Sequence, residues 1–487
     1  MKELLSVVTF VWIVSVAGHE FFSSMDQIMQ LVEEEKKLLE HFSDFMDSEE
    51  ENFNILKGYL QNSKLLSNST NPEKIMNDPV AAYKLIRRLR NQWLLMEEYT
   101  QRSLNEDFKE LLHSDLLKIP TQEDLDGAAL GLIRLQEIYK LYPHNITYKT
   151  PLSGDEAFDV GYVAYKHEKF QLAFHWFQYS LNVLGHPDLL YYLGSSAYKY
   201  GDRLVAIDFY LQFLDHVPTN EYVKNELEEI YSSFYIDRYS DPDIYILNTE
   251  STEYEGLCRG EVDQRTYRRQ RTLSCRYSTG GGNPRLILAP LKEEIEWDEP
   301  RIIRYHDIIS DKEIEILKNI SRPQLSRSKV YIAQDEEGAV INNRVSQSVF
   351  LEEDDTVTVR INQRIADVTG LSMEKSETLV QNYGIGGRYE PHHDFLDIEN
   401  DRIATFLIYM SDVEKGGATV FPDVGVAVQP IKGSAVFWYN LHKNGTADLK
   451  TLHGGCPIIV GNKWVANKWI HEFGQEFTRP CSLSDGK

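Results

Sequence analysis

The sequence has few cysteines, a deficit of basic residues and no long apolar run beyond its first 18 residues. Four cysteines in 487 residues are too few for a small disulfide scaffold, although an even number allows two bridges. The 51 basic residues against 75 acidic ones give a net charge of −24, which repels phosphate backbones and argues against nucleic-acid binding. No later stretch reaches 18 uninterrupted apolar residues, so we expect no membrane span in the mature chain. The hydrophobic fraction of 42% excludes a disordered chain.

The N-terminus has the layout of a secretory signal peptide over residues 1–18. Lys2 precedes an apolar run that ends in Ala17-Gly18. The alternative is an N-terminal membrane anchor, for which the run is short. Four glycosylation sequons agree with the secretory pathway, at Asn68, Asn145, Asn319 and Asn444. The last four residues are not an endoplasmic reticulum retrieval signal, so the protein is either secreted or retained by a partner.

Residues 20–110 are predicted to be helical. Met25, Ile28, Met29 and Val32 follow the spacing of one helix face, and the stripe continues from Leu38 to Met46 between acidic faces. The pattern fits an ordinary helical bundle. It also fits a coiled-coil-like dimerisation segment, because the first stripe has little nearby in the sequence to cover it.

An internal repeat follows in residues 155–235. Gly161 and Tyr165 recur as Gly194 and Tyr198, at an offset of 33 residues. This offset is close to the tetratricopeptide period, and small and aromatic residues stand where paired helices must pack closely. The segment contains 11 of the 28 tyrosines, which predicts an aromatic groove for an extended proline-rich peptide. The candidate peptide-binding residues are Tyr165, Tyr192 and Tyr198.

The chain changes character twice after the repeat. Residues 241–285 combine Asp-Pro, a basic run and three consecutive glycines, which indicates a linker or an irregular subdomain. Cys258 and Cys275 in this segment are 17 residues apart, a spacing consistent with a local disulfide that closes a loop. From about Pro284 onward, short strand-like segments alternate with glycine turns, a pattern typical of a β-sandwich or barrel.

The most informative motif is Tyr389-Glu-Pro-His-His-Asp-Phe395. His392 and Asp394 are two residues apart, so a strand would direct both to one face. His453, before a later apolar strand, is the third candidate. Two imidazoles and one carboxylate on a rigid β-scaffold are the facial triad of a non-haem Fe(II) oxygenase, which leaves metal positions open for a 2-oxo acid and dioxygen.

Lys463 is the candidate for holding the distal carboxylate of the 2-oxo acid, because it lies ten residues after His453 at the start of a predicted strand. The rival site is zinc bound by His392, Asp394, His453 and Cys456. In an oxidising compartment Cys481 is available to Cys456, which favours a structural disulfide over a zinc thiolate.

Several stretches carry a resemblance to the catalytic α subunit of collagen prolyl 4-hydroxylases. They are Asn382–His392, Arg402–Thr405, Tyr409–Val413, Gly416–Pro422, Ala435–Leu441 and Val460–Trp464. The resemblance implies iron ligands at His392, Asp394 and His453, and Lys463 on the C5 carboxylate of 2-oxoglutarate. It places Tyr383, Thr419 and Trp469 along the cosubstrate or iron pocket. It also implies disulfides Cys258–Cys275 and Cys456–Cys481.

The family further implies Fe2+, the cosubstrates 2-oxoglutarate and O2, and L-ascorbate. It implies a homodimer through N-terminal helices, with protein disulfide isomerase as the β subunit of a tetramer in the endoplasmic reticulum lumen. The expected organisation is a signal peptide (1–18), a helical dimerisation domain (19–150), a tetratricopeptide-like substrate domain (151–240), a linker with a disulfide (241–285) and a double-stranded β-helix (jelly-roll) dioxygenase domain (286–487).

The expected reaction is hydroxylation of proline C4 in X-Pro-Gly peptides, with 2-oxoglutarate converted to succinate and CO2. The sequence departs from vertebrate family members at His393, which replaces Phe, and at Tyr191, which replaces Asp in the repeat. A paralogue acting on another proline-rich secreted protein therefore fits as well. A non-catalytic peptide-binding subunit and a secreted zinc hydrolase are the remaining alternatives.

Overall fold

The computed structural model describes residues 21–48, 76–100, 119–234, 242–247, 252–265, 273–329, 344–353 and 355–482. The expected signal peptide and the sequon at Asn68 lie outside these residues. None of the helices within the described ranges combines the length and the apolar character needed to cross a bilayer.

The first half of the chain is helical. The structure has α1 (Met25–Ser48), α2 (Pro79–Thr100), α3 (Gln122–Tyr139), α4 (Pro143–Ile146), α5 (Gly154–Lys166), α6 (Phe170–Leu184), α7 (Asp188–Tyr200), α8 (Arg203–His216) and α9 (Glu221–Phe234). Side chains satisfy the free N–H groups at several helix starts. Thr121 and Asp124 form a capping box on α3, and Ser153 and Glu156 form one on α5.

The apolar stripe of α1 is covered within the same chain. Met25, Ile28, Val32, Leu38 and Leu39 are buried in one core with residues of α2, α3 and the repeat helices. The same core includes Ile385 of the C-terminal half. The reasoning that this stripe lacks a cover was therefore wrong for these residues, because sequence proximity does not reveal a cover that comes from distant elements. Residues 41–42 and 44–48 of the stripe lie outside the described side chains.

The internal repeat corresponds to two helix pairs, α5 with α6 and α7 with α8. A Cβ built on Gly161 would lie 2.9 Å from the ring of Phe177, and one on Gly194 would lie 2.4 Å from the ring of Tyr210. Each repeat therefore places an aromatic ring where only glycine leaves room, which explains why these residues recur together.

The C-terminal half is built on antiparallel strands. They are β1 (Cys275–Ser278), β2 (Leu291–Asp298), β3 (Arg301–His306), β4 (Ser326–Arg327), β5 (Gln347–Leu351), β6 (Ser376–Asn382), β7 (Tyr389–His392), β8 (Arg402–Tyr409), β9 (Val413–Gly416), β10 (Thr419–Phe421), β11 (Val426–Val428), β12 (Ala435–Tyr439), β13 (His453–Gly455), β14 (Ile458–Gly461) and β15 (Trp464–His471). Helices α10 (Glu253–Arg259), α11 (Pro284–Leu288), α12 (Asp311–Ser321) and α13 (Thr356–Thr369) accompany them.

The strands form a large sheet, a small sheet and a two-stranded pair of β9 with β14. The large sheet has the order β1-β2-β3-β12-β8-β15-β6-β5-β4, and the small one has the order β11-β10-β13-β7. Alternation along β8 sends Phe406 and Ile408 towards the core that contains α12 and α13, whereas Leu407 and Tyr409 enter the core with residues of the small sheet. The expectation of helices followed by a β-domain is thus confirmed at the level of a multidomain α plus β chain.

The segment expected to be a linker contributes to the β-domain. Strand β1 pairs with β2, so the large sheet begins at Cys275, ahead of the expected boundary at 285. Helix α10 packs on the small sheet, where the Tyr254 hydroxyl donates to the Gly455 carbonyl at 3.0 Å. This segment therefore fixes one side of the sheet that carries the candidate site.

The expected disulfide pairing is wrong in this structure. Cys258 on α10 is bonded to Cys456, and their Cα atoms are 5.6 Å apart. Cys275 and Cys481 are free and exposed. The pairing expected from short spacings, Cys258–Cys275 and Cys456–Cys481, fails because α10 is held over Gly455, whereas Cys275 lies on the edge strand β1 of the large sheet.

The pairing predicts the outcome of peptide mapping. A digest of the unreduced protein should contain a peptide that links Cys258 to Cys456, and Cys275 and Cys481 should react with an alkylating reagent before reduction. The reduced and realkylated protein serves as the control. A linked peptide joining Cys258 to Cys275 would contradict this arrangement.

Three of the four sequons are described. Asn145 and Asn319 are exposed and Asn444 is half-buried. Their side-chain oxygens accept hydrogen bonds from Tyr142 N, Arg322 and Thr446 N, respectively.

Candidate metal and cosubstrate site

Two histidines meet across paired strands of the small sheet. His392 on β7 and His453 on β13 are direct register partners, and their ring centroids are 4.4 Å apart. Each Nδ1 lies against a backbone carbonyl, of Glu390 at 2.8 Å for His392 and of Thr451 at 3.0 Å for His453. A carbonyl can only accept, so each Nδ1–H donates and each Nε2 keeps its lone pair. Both lone pairs are therefore available to a metal ion.

Asp394 completes the cluster just after β7 ends. Its carboxylate oxygens lie 3.6 Å from His392 Nε2 and 3.6 Å from His453 Nε2. The ligand atoms of the three residues all lie within 4.8 Å of one another. Two imidazole nitrogens and one carboxylate oxygen converge on one point, which is the donor set of a non-haem Fe(II) facial triad.

Two residues missed by sequence reasoning orient the carboxylate. The Thr405 hydroxyl on β8 donates to Asp394 Oδ2 at 2.6 Å, and Asn440 Nδ2 donates to Thr405 Oγ1 at 3.0 Å. These two hydrogen bonds, the Asn440–Thr405 relay, hold the side chain of Asp394 in one orientation, as hydrogen bonds to metal ligands commonly do. Both residues lie in stretches that carried the family resemblance, which was the only available signal for them.

The protonation states suit metal binding. Burial raises the pKa of Asp394, but the adjacent His453 and His392 and the Thr405 hydroxyl outweigh it and hold the pKa well below its usual range. Burial lowers the pKa of His453 to about 4. At neutral pH the cluster therefore offers an ionised carboxylate and a neutral imidazole, which are the forms that ligate metals.

An inner cavity adjoins the cluster on the side of Lys463. It is lined by His392, His453, Lys463, Tyr383, Thr419 and Trp438, among others. Lys463 is 2% exposed, and its Nζ donates to the Gly417 carbonyl at 2.7 Å. Among the described residues, no carboxylate forms an ion pair with it, and burial lowers its pKa to about 7. A buried ammonium without an anionic partner fits a site for an incoming carboxylate.

Tyr383 and Thr419 border the same cavity. The Lys463 Nζ lies 5.2 Å from the centroid of the Tyr383 ring. The Tyr409 hydroxyl donates to Thr419 Oγ1 at 2.8 Å, so the Thr419 proton is available to an anion. A Cβ on Gly455 would lie 3.8 Å from the Lys463 Nζ and 3.9 Å from the Tyr383 hydroxyl. A side chain at this position would therefore contact both groups that border the cavity.

Trp469 lies at a different opening. Together with Arg402, His392 and Asp394 it lines an outer groove, and it does not line the inner cavity. Lys463 lies immediately before the last strand and Trp469 lies near its end, so six residues separate them by about 20 Å at roughly 3.3 Å per residue. The side chain of Arg402 lies over the Trp469 ring, at 3.7 Å from its centroid.

Two further histidines of the β-domain and Cys456 do not join the cluster. His393 lines the outer groove, with its ring 4.7 Å from that of Phe395. His471 donates from Nδ1 to the Asn400 carbonyl at 2.8 Å. Cys456 is in a disulfide, so it offers no thiolate, and the rival zinc set with this cysteine does not form.

The candidate peptide-binding tyrosines lie on two helices, Tyr165 on α5 and Tyr192 and Tyr198 on α7. Tyr192 contacts Tyr165 and Phe158 of α5 at centroid distances of 6.4 and 5.1 Å. Lys199 lies over the Tyr165 ring at 4.7 Å. Tyr198 instead faces α9, where burial and a hydrogen bond with Glu229 raise its pKa. Tyr165 and Tyr192 therefore share one aromatic surface, and Tyr198 does not belong to the same ring cluster.

Both the N-terminal and the C-terminal parts of the chain are similar to known protein families. Residues 24–149 match the N-terminal region of the prolyl 4-hydroxylase alpha-subunit, and residues 378–471 match the 2OG-Fe(II) oxygenase superfamily. The chain is 38% identical over 538 residues to prolyl 4-hydroxylase subunit alpha-2 of Gallus gallus, which covers 100% of both chains. It is 38% identical over 520 residues to subunit alpha-1 of Homo sapiens, which covers 97% of each.

Among solved structures, a viral collagen prolyl hydroxylase from Paramecium bursaria Chlorella virus-1 in complex with 2OG is 22% identical. It covers 35% of this chain and 95% of its own, with a TM-score of 0.29.

Proposed function

Because the chain belongs to the prolyl 4-hydroxylase α-subunit family, we propose that it is a catalytic subunit that hydroxylates proline C4 in collagen-like X-Pro-Gly peptides. The reaction is coupled to oxidative decarboxylation of 2-oxoglutarate to succinate and CO2. The observation that carries the proposal is the convergence of His392, Asp394 and His453 beside the buried Lys463, whose Nζ pairs with no carboxylate of the described part of the chain.

In this proposal His392, Asp394 and His453 hold Fe2+. When bound, Fe2+ with 2-oxoglutarate and O2 supplies the oxidant that replaces a proline C–H by C–OH. One oxygen atom of O2 enters the proline and the other enters succinate. L-Ascorbate keeps the iron reduced. The chain itself supplies the ligand geometry, and the Asn440–Thr405 relay keeps the carboxylate in place.

Lys463 and Thr419 bind the cosubstrate. The Lys463 ammonium pairs with the C5 carboxylate, and the Thr419 hydroxyl donates to the same group because its oxygen already accepts from Tyr409. Tyr383 forms the wall beside Lys463. Trp469 lines the outer groove together with His392 and Asp394, and there it contacts the peptide.

The repeat helices hold the peptide. We propose a tetratricopeptide-like substrate domain over 151–240 that raises the local concentration of a long proline-rich chain near the iron. Tyr165 and Tyr192 form its aromatic surface, whereas Tyr198 faces α9 and lies outside that surface. The β-domain over 286–487, extended by β1, is a double-stranded β-helix.

Replacement of Tyr192 tests the peptide surface. We expect Tyr192→Ala to raise the KM for a proline-rich peptide about tenfold, since an aromatic anchor at an interface is worth roughly 1–2 kcal/mol. Succinate release without peptide should be unchanged, because the iron site is not touched. Tyr148→Ala, at a tyrosine that is 84% exposed, is the matched control. An unchanged peptide KM in Tyr192→Ala would remove Tyr192 from the surface.

The remaining assignments concern assembly and location. We propose that the chain acts in the endoplasmic reticulum lumen after removal of residues 1–18, with protein disulfide isomerase as β subunit. The N-terminal region (19–150) contributes a homodimer in a tetramer of two α and two β subunits. Because α1 is partly covered within the chain, the dimer contacts must come from residues beyond the buried stripe.

Peptide-dependent release of succinate tests the function. The chain, co-expressed with protein disulfide isomerase, is supplied with Fe(II), 2-oxoglutarate, ascorbate and a (Pro-Pro-Gly) repeat peptide. We expect succinate release to rise strongly with the peptide. Release with another proline-rich peptide alone would favour a paralogue with a different substrate. Peptide binding without any release would favour the non-catalytic binding subunit.

A further inference from the structure

The N-terminal helices touch the wall of the cosubstrate cavity at two separate points. We propose that Asn382 and Tyr139 are positioning residues through which the helical N-terminal region sets the affinity for 2-oxoglutarate. This inference rests on the proposed function, because it concerns the same cavity.

The first contact is made by the residues that lead into α1. The Ser24 hydroxyl donates to Asn382 Oδ1 at 2.5 Å, and Asp26 N donates to the same oxygen at 2.9 Å. Main-chain bonds reinforce this contact, because Met25 N donates to the Tyr383 carbonyl at 3.2 Å. A Cβ on Gly384 would lie 1.8 Å from the Phe22 carbonyl oxygen, so only glycine allows this approach. Arg322 adds an ion pair to Asp26 at 3.1 Å.

Asn382 transmits this contact to Lys463. Its side chain is fully buried, and its Nδ2 donates to Asn462 Oδ1 at 2.7 Å and to the Lys463 carbonyl at 3.2 Å. Tyr383 N donates to the same carbonyl at 3.1 Å. One amide side chain thus joins the start of α1 to the backbone of the lysine that faces the cavity. The two residues that border the cavity here, Tyr383 and Lys463, are held by the same set of bonds.

The second contact comes from α3 and reaches the other end of the lysine. The Tyr139 hydroxyl donates to the Pro457 carbonyl at 2.6 Å. Gly417 N donates to that carbonyl at 3.0 Å, and the Gly417 carbonyl accepts from the Lys463 Nζ at 2.7 Å. The backbone of Lys463 and its ammonium are therefore each positioned by an element of the N-terminal region.

Single-group variants separate positioning from folding. Tyr139→Phe removes one hydroxyl and keeps the ring, and Ser24→Ala removes the donor to Asn382. Tyr142→Phe is the control for the first variant, because its hydroxyl also donates to a backbone carbonyl, that of Tyr245 at 3.2 Å, away from the cavity. Ser153→Ala is the control for the second, because Ser153 caps α5 as Ser24 caps α1, by accepting from the third N–H of its helix.

The readout is the Kd for 2-oxoglutarate, measured by calorimetry on the full complex with Mn(II) in place of iron and without oxygen, so that no turnover occurs. We expect Tyr139→Phe and Ser24→Ala to raise this Kd about three- to tenfold, the value of one lost hydrogen bond. The KM for 2-oxoglutarate should rise in parallel, whereas kcat at saturating cosubstrate and the peptide KM should match those of the controls.

Two results would count against the inference. If the unaltered complex binds 2-oxoglutarate and both variants bind it as tightly as their controls do, the inference is wrong and the proposed function stands. If the unaltered complex does not bind 2-oxoglutarate at all, the proposed function fails as well. If Ser24→Ala unfolds because α1 has lost its cap, the Kd of Tyr139→Phe alone tests the inference.

Discussion

Asp394→Asn should lower peptide hydroxylation by more than about a hundredfold, since second-shell changes in metal sites already cost roughly 10–100-fold and this change alters a ligand itself. The amide keeps the volume of the side chain but removes the only carboxylate of the cluster. The remaining amide oxygen can still accept from the Thr405 hydroxyl, but Nδ2 then replaces the second carboxylate oxygen and offers no lone pair to the metal. Bound iron, measured on the purified complex by elemental analysis, should fall together with activity.

Asp397→Asn is the matched control for this variant. Asp397 is exposed, lies three residues after Asp394, and has a φ of 58°, a conformation that asparagine adopts readily. It should keep normal iron content and normal turnover. Stoichiometric iron and turnover within about tenfold of normal in Asp394→Asn would contradict the assignment of Asp394 as a ligand.

Lys463→Met should raise the 2-oxoglutarate requirement by two orders of magnitude or more, because truncating one partner of a buried charge pair costs about 2–5 kcal/mol. Turnover should recover in large part at saturating cosubstrate, since the iron ligands are untouched. Steady-state titration of 2-oxoglutarate measures both quantities. A Lys463→Met chain that is inactive even at saturating cosubstrate would contradict a role confined to binding.

The same variant makes a second, opposite prediction for stability. Without 2-oxoglutarate, the buried Lys463 Nζ donates to the Gly417 carbonyl and has no carboxylate partner among the residues that the structure describes, and burial lowers its pKa to about 7. Methionine removes this unpaired charge, so the free energy of unfolding of the ligand-free chain should be unchanged or higher.

Lys468→Met is the contrasting control. Lys468 is also 2% exposed, but its Nζ donates to Glu353 and to Thr378 Oγ1. Its loss should lower the free energy of unfolding by about 1–3 kcal/mol, since partners are left unsatisfied, and should leave the Kd for 2-oxoglutarate unchanged. Thermal unfolding with and without cosubstrate compares the two lysines. Equal destabilisation by both would mean that Lys463 is a structural residue.

The sequence predicts the three candidate metal ligands better than it predicts the residues that surround them. The His392-x-Asp394 spacing and the distant His453 belong to one motif, and the fold brings them together because β7 and β13 pair in register. Asp394 itself lies past the end of β7, so strand alternation was not the cause of its position. The family resemblance that accompanied the motif is confirmed by the full-length relatives.

The errors arise where distant elements meet. Thr405 lies on β8 and Asn440 directly follows β12, and a hydrogen bond between residues 35 positions apart has no sequence spacing that predicts it. The cysteine spacings favoured short loops, but a helix held over β13 brought Cys258 to Cys456 instead. The sequence near α1 contains no partner for its apolar face, because Ile385, one of the residues that bury this face, is more than 300 residues away.

Mass spectrometry of a (Pro-Pro-Gly) repeat peptide tests the central claim most directly. The peptide is incubated with the complex, Fe(II), 2-oxoglutarate and ascorbate, and Asp394→Asn runs in parallel. The account predicts a gain of one oxygen atom on the proline before glycine, with none in the Asp394→Asn reaction. An iron-loaded, folded complex that adds no oxygen to this or any other proline-rich peptide would contradict it.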